Sequence, residues 1–309
     1  MTTPELVRFY YQQAANQEVL PRRLDHFSIT VGDPGDMGSK NGIRVLHLVD
    51  PGQYGRVDVS GPTVRTTNVH GLEFDTAVWS GPLRLDGQMV RLRPGETGLA
   101  PIFKADTTWA TALPGSKATP SQSHRHERQL GSMTAVLRSQ GPFIIQHPGS
   151  ATTSHLALQI ARNLHQYFQA DAVIESATPY PMAGNNTGNV IALAVGPDPG
   201  GLDGHAIRVG ESGVTIRDQT GRDKSYGEEA RGAAFLRPLD SNRLELLLWG
   251  ADDDGLRQAA RLVPMLSGVG QPDFAIFGES ARWRGVEGVL AMGFFDSMWR
   301  VTASSFVAM

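Results

Sequence analysis

Leu244-Glu245-Leu246-Leu247-Leu248-Trp249-Gly250, continued by Ala251-Asp252-Asp253-Asp254-Gly255 and closed by Asp273-Phe274-Ala275-Ile276-Phe277-Gly278, is the stretch that decides the fold class. A near-continuous apolar run, an acidic helix start, an amphipathic segment and a second apolar run predict a strand-helix-strand unit in a buried parallel sheet. Asp252, Asp253 and Asp254 suit the free N–H groups and positive end of the helix. Leu256, Ala259, Ala260 and Val263 fall on one face. Pro264 is expected to kink or shorten the helix, and Gly268 and Gly270 let the chain reverse. The same acidic cluster at a strand's carboxyl end also fits a metal or ligand site, because open sheets bind ligands there.

Working back from this unit, residues 139–309 read as an α/β domain with a mostly parallel sheet. Phe143-Ile144-Ile145-Gln146 is a strand, residues 154–169 carry Leu156, Ile160, Leu164 and Phe168 at helical spacing, and Ala172-Val173-Ile174 and residues 190–195 are further strands. A hairpin over 205–218 is inserted before Ala233-Ala234-Phe235-Leu236, and the glycines between Gly285 and Gly293 weaken a short helix there. Residues 24–138 alternate instead. Short runs at 27–31, 43–49, 56–59, 64–69, 83–85 and 89–92 are separated by turn residues, Asp86-Gly87 being the clearest hairpin. This predicts an antiparallel β-sandwich-like domain. Residues 99–132 are less regular, and residues 1–23 hold a helix that Thr3 can cap and Pro4 can start, with Leu6, Phe9 and Tyr10 at helical spacing.

The 309 residues, 40% of them apolar, suffice for two cores. A net charge of -3, with no basic stripe, argues against nucleic acid or a membrane surface as partner. No run is long enough to span a bilayer. The absence of cysteine removes disulfides, thiolate nucleophiles and thiolate-bound zinc. Residues 1–11 lack the pattern of a signal peptide, so the chain is expected to be either cytoplasmic or a fragment whose signal lay upstream. Asn185-Asn186-Thr187 matches the glycosylation acceptor pattern, which matters only outside the cell.

Chemical candidates are few. His147, Ser150 and Asp252 stand at predicted strand ends or helix starts, where a nucleophile, a base and an orienting carboxylate could converge; helix capping by Ser154 and by Asp252, with His147 as a polar turn residue, is the alternative. His124 and His126 form a His-x-His pair suited to a metal, but Arg125 and Arg128 would repel a cation, and a solvated loop or domain contact is the competing reading. Trp283 and Trp299 could stack on a sugar or pack in a core. The closest approach to a nucleophile elbow, Gly278-Glu279-Ser280-Ala281-Arg282, ends in arginine. There is no dinucleotide, phosphate-loop, zincin or kinase motif, so no cofactor is expected.

The N-terminal helix, Gly42-Ile43-Arg44-Val45-Leu46-His47-Leu48, Pro51-Gly52, Gly55-Arg56-Val57, Thr67-Asn68-Val69, Ile160-Ala161-Arg162-Asn163-Leu164 and Gly188-Asn189-Val190-Ile191, in that order, resemble the C-terminal portion of large secreted fungal proteins. Those proteins resemble prolyl oligopeptidase-type serine hydrolases in their N-terminal half. The resemblance covers nearly the whole chain but carries over no catalytic serine, aspartate or histidine. It implies a non-catalytic accessory or interaction module serving a hydrolase domain. The alternatives are a serine hydrolase with an unrecognised site and a carbohydrate-binding protein.

Overall fold

Alternation of buried and exposed side chains shapes the first half of the computed structural model, which describes residues 3–15, 24–95, 97–105, 107–111, 125, 127–176, 187–197, 204–211, 213–240, 242–263 and 271–308. Helix α1 (Pro4–Ala15) opens with Thr3 Oγ1 accepting the Leu6 N–H at 3.3 Å, and it leaves Leu6, Phe9 and Tyr10 exposed. Strands β1 (His26–Val31), β2 (Ile43–Leu48), β3 (Gly55–Ser60), β4 (Thr63–Thr67), β5 (Val69–Asp75), β6 (Pro82–Leu85), β7 (Gln88–Arg91), β8 (Leu99–Ala105) and β9 (Thr108–Thr111) follow. They form two sheets, ordered β1-β3-β4-β6-β7 and β2-β5-β8-β9. Both sheets feed one core: Val57, Val59 and Leu85 from the first meet Val45, Leu72, Phe74 and Ile102 from the second. In β3 the pattern is strict, with Val57 and Val59 inside and Arg56 and Ser60 outside.

Three expectations change here. The run at 64–69 is two strands, because Asn68 takes a left-handed conformation (φ 55°) that breaks it. The pairing of β4 with β6 is parallel in an otherwise antiparallel sheet. The irregular segment after residue 99 contains β8 and β9. Pro101 hides β8 from a propensity reading, yet it sits where β9 no longer covers the strand, since β9 pairs only with Ile102–Ala105.

The second half contains β10 (Phe143–His147), helix α2 (Ala151–Phe168), β11 (Ala172–Ser176), β12 (Val190–Val195), β13 (Ile207–Gly210), β14 (Gly213–Arg217), β15 (Asp223–Tyr226), β16 (Gly232–Pro238), β17 (Leu244–Gly250), α3 (Asp253–Ala260), β18 (Phe274–Phe277), α4 (Ala281–Arg284), β19 (Val289–Gly293) and β20 (Phe306–Val307). Strands β13, β14 and β15 make a separate meander, and the rest form one sheet ordered β11-β10-β12-β17-β16-β18-β19-β20. The molecule is therefore mixed α+β, mostly strand. Its large sheet is parallel from β11 to β17 and antiparallel from β17 to β20, so the expectation of a mostly parallel sheet holds for only one side. The deciding unit departs from a plain crossover as well. β17 and β18 run the same way, but β16 lies between them, antiparallel to both.

Apolar saturation explains why β17 is central: all seven of its residues are buried. Helix α3 buries Leu256, Ala259 and Ala260 against it and ends at Ala260, short of Pro264, which falls outside the described residues. Gly255 permits the contact, since a Cβ there would stand 1.8 Å from the Arg231 carbonyl oxygen. The span from Gly285 to Gly293 is a short 3-10 turn and then β19, paired with β18; hydrogen bonding to the sheet overrides its poor helix propensity.

A buried ion pair joins the segment after the β-rich half to this sheet. Arg125 donates from Nη1 to Asp273 Oδ2 at 2.6 Å and to the Phe295 carbonyl at 3.1 Å, from Nη2 to Asp273 Oδ1 at 3.2 Å and to the Gly131 carbonyl, and from Nε to the Gln129 carbonyl at 3.1 Å. Every guanidinium N–H is used. Arg125→Ala would leave Asp273 charged in a fully buried site, and we expect a loss of about 3–5 kcal/mol in urea denaturation. The apolar pair Arg125→Met with Asp273→Leu should recover most of it. Equal losses in the single and double variants would show that the guanidinium's backbone contacts, not the charge pair, matter.

Candidate functional site

Strands β10, β12, β17 and β18 all end at one edge of the large sheet, and His147, Ser150 and Asp252 lie there. No direct hydrogen bond joins them, although Thr153 Oγ1 lies between two of them, 3.1 Å from Ser150 Oγ and 3.4 Å from His147 Nδ1. Ser150 Oγ accepts the Thr153 N–H at 3.2 Å and caps α2. Asp252 Oδ1 accepts the Gly255 N–H at 2.8 Å and caps α3, while its Oδ2 lies 3.7 Å from Arg231. His147 Nδ1 accepts the Gly149 N–H at 3.1 Å and sits 3.4 Å from Thr153 Oγ1. Burial lowers the His147 pKa and favours the neutral ring. With Nδ1 accepting, the ring proton is on Nε2, the reverse of the tautomer in which Nε2 takes a proton from a serine. What links α2 to α3 is Thr152, whose Oγ1 contacts Asp253 and accepts from Arg257 Nη2 at 3.3 Å.

Two concave surfaces lie elsewhere, where the two halves of the chain meet. The turn at 49–54 touches the loop at 294–304: Ser304 Oγ donates to Asp50 Oδ1 at 2.6 Å, and a Cβ on Gly52 would strike Ser304 and Phe294. One cleft of about 530 Å³ opens on one side of this bridge, walled by Leu46, Tyr54, Leu130, Leu137 and Phe294. Arg138 crosses it, reaching Asp36 at 2.7 Å and Asp33 at 3.9 Å. A second cleft, of about 880 Å³, lies on the other side and is bounded by Val49, the turn joining β14 to β15, and residues 296–303. Both volumes are in the range of small-molecule sites.

Trp299 and His205 belong to the second cleft. Trp299 is only 6% exposed, one face lies under the Arg125 guanidinium at 4.6 Å, and its backbone is left-handed at φ 60°. That conformation costs a bulky residue roughly 1–2 kcal/mol. A sugar-stacking role for the Trp299 face is thus closed by burial. Trp283, on α4, is 79% exposed and carries Arg282 at 4.8 Å from its ring. His124 and His126 lie outside the described residues, as do Asn185 and Asn186. Among the described residues no cluster of three or more His, Asp or Glu side chains is placed to hold a metal ion, and no helix is long and apolar enough to cross a membrane.

Sequence reasoning missed Arg125, Asp273 and His205. His205 stacks on Phe235 at 5.6 Å and meets Phe295 edge-on at 5.3 Å. Burial pulls its pKa down from 6.5 to about 4, only partly offset by the Ile207 and Leu236 backbone. Its flank, a histidine before the alternating Ala206-Ile207-Arg208-Val209, gave the only signal.

Comparison with known proteins adds one finding and one absence. No family model matches the chain. The chain is 34% identical, over 326 aligned positions covering 98% of its length, to an uncharacterized secreted protein of the fungus Arthroderma benhamiae. It spans about a third, 34%, of that relative's length.

Two measurements check this geometry. Ser150→Ala should cost about 1 kcal/mol, the ordinary worth of a helix cap. The neutral state of His205 predicts a pH dependence: with a folded pKa near 4 and an unfolded value of 6.5, stability is full above 6.5 and falls as the pH drops from 6.5 towards 4, because the unfolded chain takes up a proton that the fold refuses. Each pH unit in that window removes up to about 1.4 kcal/mol. Urea denaturation at pH 7 and pH 4.5 should differ by about 2–3 kcal/mol less in His205→Phe than in the parent chain.

Proposed function

We propose that this chain is a non-catalytic accessory or interaction module of a secreted hydrolase. In this reading residues 1–23 are a leading helix, residues 24–138 a β-sandwich-like domain and residues 139–309 an α/β domain. The observation that carries the reading is the similarity spanning nearly the whole chain but only a third of a longer secreted relative. The fate of the candidate triad supports it. Ser150 and Asp252 serve as helix caps, and His147 presents a donor where a catalytic base must accept. In this proposal the partner, taken from the sequence resemblance and not from the comparison, is a hydrolase domain of the prolyl oligopeptidase type, and the module docks it, supports it or selects its substrate outside the cell.

Fluorophosphonate labelling of the purified chain tests this, because the probe reacts only with an activated serine. We expect no labelled residue beside a working control. Heat-sensitive labelling of one serine, mapped by mass spectrometry, would replace the accessory reading with a serine hydrolase; loss of that label in Ser150→Ala would place its nucleophile.

A further inference from the structure

Helix α1 stands apart from the rest of the fold. Leu6, Val7, Phe9, Tyr10 and Tyr11 are all exposed, from 40% for Val7 to 74% for Tyr11. Among the described residues no hydrogen bond, ion pair or ring contact ties the helix to another element. Its 12 residues are too few to hold a helix on their own in water, and a helix of this length is stable when its apolar face packs on something. Val7, Tyr10, Tyr11 and Ala14 share one stripe, with Leu6 and Phe9 along one edge and Arg8 along the other. Anchors at i, i+3, i+4 and i+7 are those by which a helix fills a groove. The polar side carries one arginine and no lysine, which does not suit an anionic lipid surface.

We propose that α1 is an arm exchanged between two copies of this chain, each seating its Val7, Tyr10, Tyr11 and Ala14 stripe in the first cleft of the other. Of the two clefts the first has the apolar walls, Leu46, Leu130, Leu137 and Phe294, and Tyr54 beside them is 76% exposed. The second is bounded by charged residues, among them Arg217, Asp218 and Arg300. Charge agrees with the choice. Asp33 and Asp36 share one arginine, Arg138, while the first cleft's other arginine and aspartate, Arg125 and Asp296, are paired with Asp273 and Arg300. One acidic charge is left over, and Arg8, which no carboxylate holds among the described residues, is the matching cation on the arm. Area decides for exchange. Three aromatic and two aliphatic side chains exposed to this degree cover about 400 Å² per arm, at the usual scale of aromatic burial. One arm in one cleft falls short of the roughly 800 Å² per partner of a stable interface, but a two-fold pair makes the contact twice, each chain giving an arm and a cleft, and reaches it. In the single chain α1 stands off its own body, which leaves the contact to a second copy.

Sedimentation equilibrium of the full chain across the micromolar range tests this. We expect a reversible dimer, weakened tenfold or more by Tyr10→Ala combined with Tyr11→Ala on the arm, and likewise by Tyr54→Ala at the cleft. All three side chains are exposed, so the fold does not depend on them. Arg8→Asp and Asp36→Arg should each weaken the dimer, and the two together should restore it, an outcome that damage to the fold would not produce. Trp283→Ala, exposed but outside both surfaces, should change the dimer less than twofold. A chain that stays monomeric throughout the range overturns the proposal, as does a dimer indifferent to the arm variants. A dimer weakened by the arm variants but not by Tyr54→Ala or Asp36→Arg overturns it too, because the arms would then pair with each other or with another face. None of these outcomes bears on serine labelling, so the exchanged arm and the accessory reading stand or fall separately.

Discussion

The Arg125–Asp273 pair is the constraint on which the rest of the arrangement depends. Asp273 immediately precedes β18 and is fully buried, a position that no lone carboxylate tolerates. Its two oxygens are taken by the Arg125 fork, and Oδ2 also accepts the Phe295 N–H at 2.7 Å. Arg125 in turn holds the carbonyls of Gln129, Gly131 and Phe295 and donates its own backbone N–H to the Ser297 carbonyl at 2.7 Å. One side chain thereby fixes the segment leaving the β-rich half, the start of β18 and the loop that carries Trp299. Burial raises the Asp273 pKa, and the arginine opposes that rise. The charge is kept inside by geometry, because every donor and acceptor has a mate.

From that anchor the relation of the two halves follows. The segment at 127–138 returns contacts to the β-rich half: Arg138 reaches Asp33 and Asp36, and the Ser132 N–H reaches Asp33 Oδ2 at 3.4 Å. On the far side the Ser304–Asp50 hydrogen bond makes a second tie. Two ties with a gap on each side of one of them leave clefts as a geometric consequence. Neither cleft belongs to a single half, so no local stretch of sequence encodes either. Both depend on pairs such as Asp33 with Arg138 and Asp50 with Ser304, separated by one hundred residues or more.

How much was legible follows the same division. Elements whose burial is set within a few residues read directly from the chain. The seven buried residues of β17, the cap at Asp252 and the buried face of α2 are examples, whereas α2 starts at Ala151 and is capped by Ser150, not by Ser154. Strand order did not read, since the insertion of β16 between β17 and β18 is decided by pairing over distance. Pro101 concealed β8 because propensity cannot see where a neighbouring strand stops. The candidate site misled for a related reason. Hydroxyl and acidic residues at strand ends suit capping and catalysis equally, and only their partners tell the two apart. Those partners turned out to be the amides of Thr153 and Gly255, three residues further on.

The tryptophans show how a residue type becomes informative only with its surroundings. Sequence pattern gave Trp283 and Trp299 equal standing, yet one is exposed on a four-residue helix and the other lies beneath a buried arginine. Strain at Trp299 has an identifiable source. The tight turn from Asp296 to Arg300 is closed by Asp296 Oδ1 accepting the Met298 and Arg300 N–H groups at 2.8 and 3.0 Å, which forces the residue between them into the left-handed region. Glycine relieves such a turn at no steric cost. A tryptophan held there, with Arg125 gripping one face, packs its indole, Nε1 included, away from solvent at the expense of backbone ease. The same ion-pair network that fastens the two halves thus also covers the tryptophan whose indole N–H is left without a partner among the described residues.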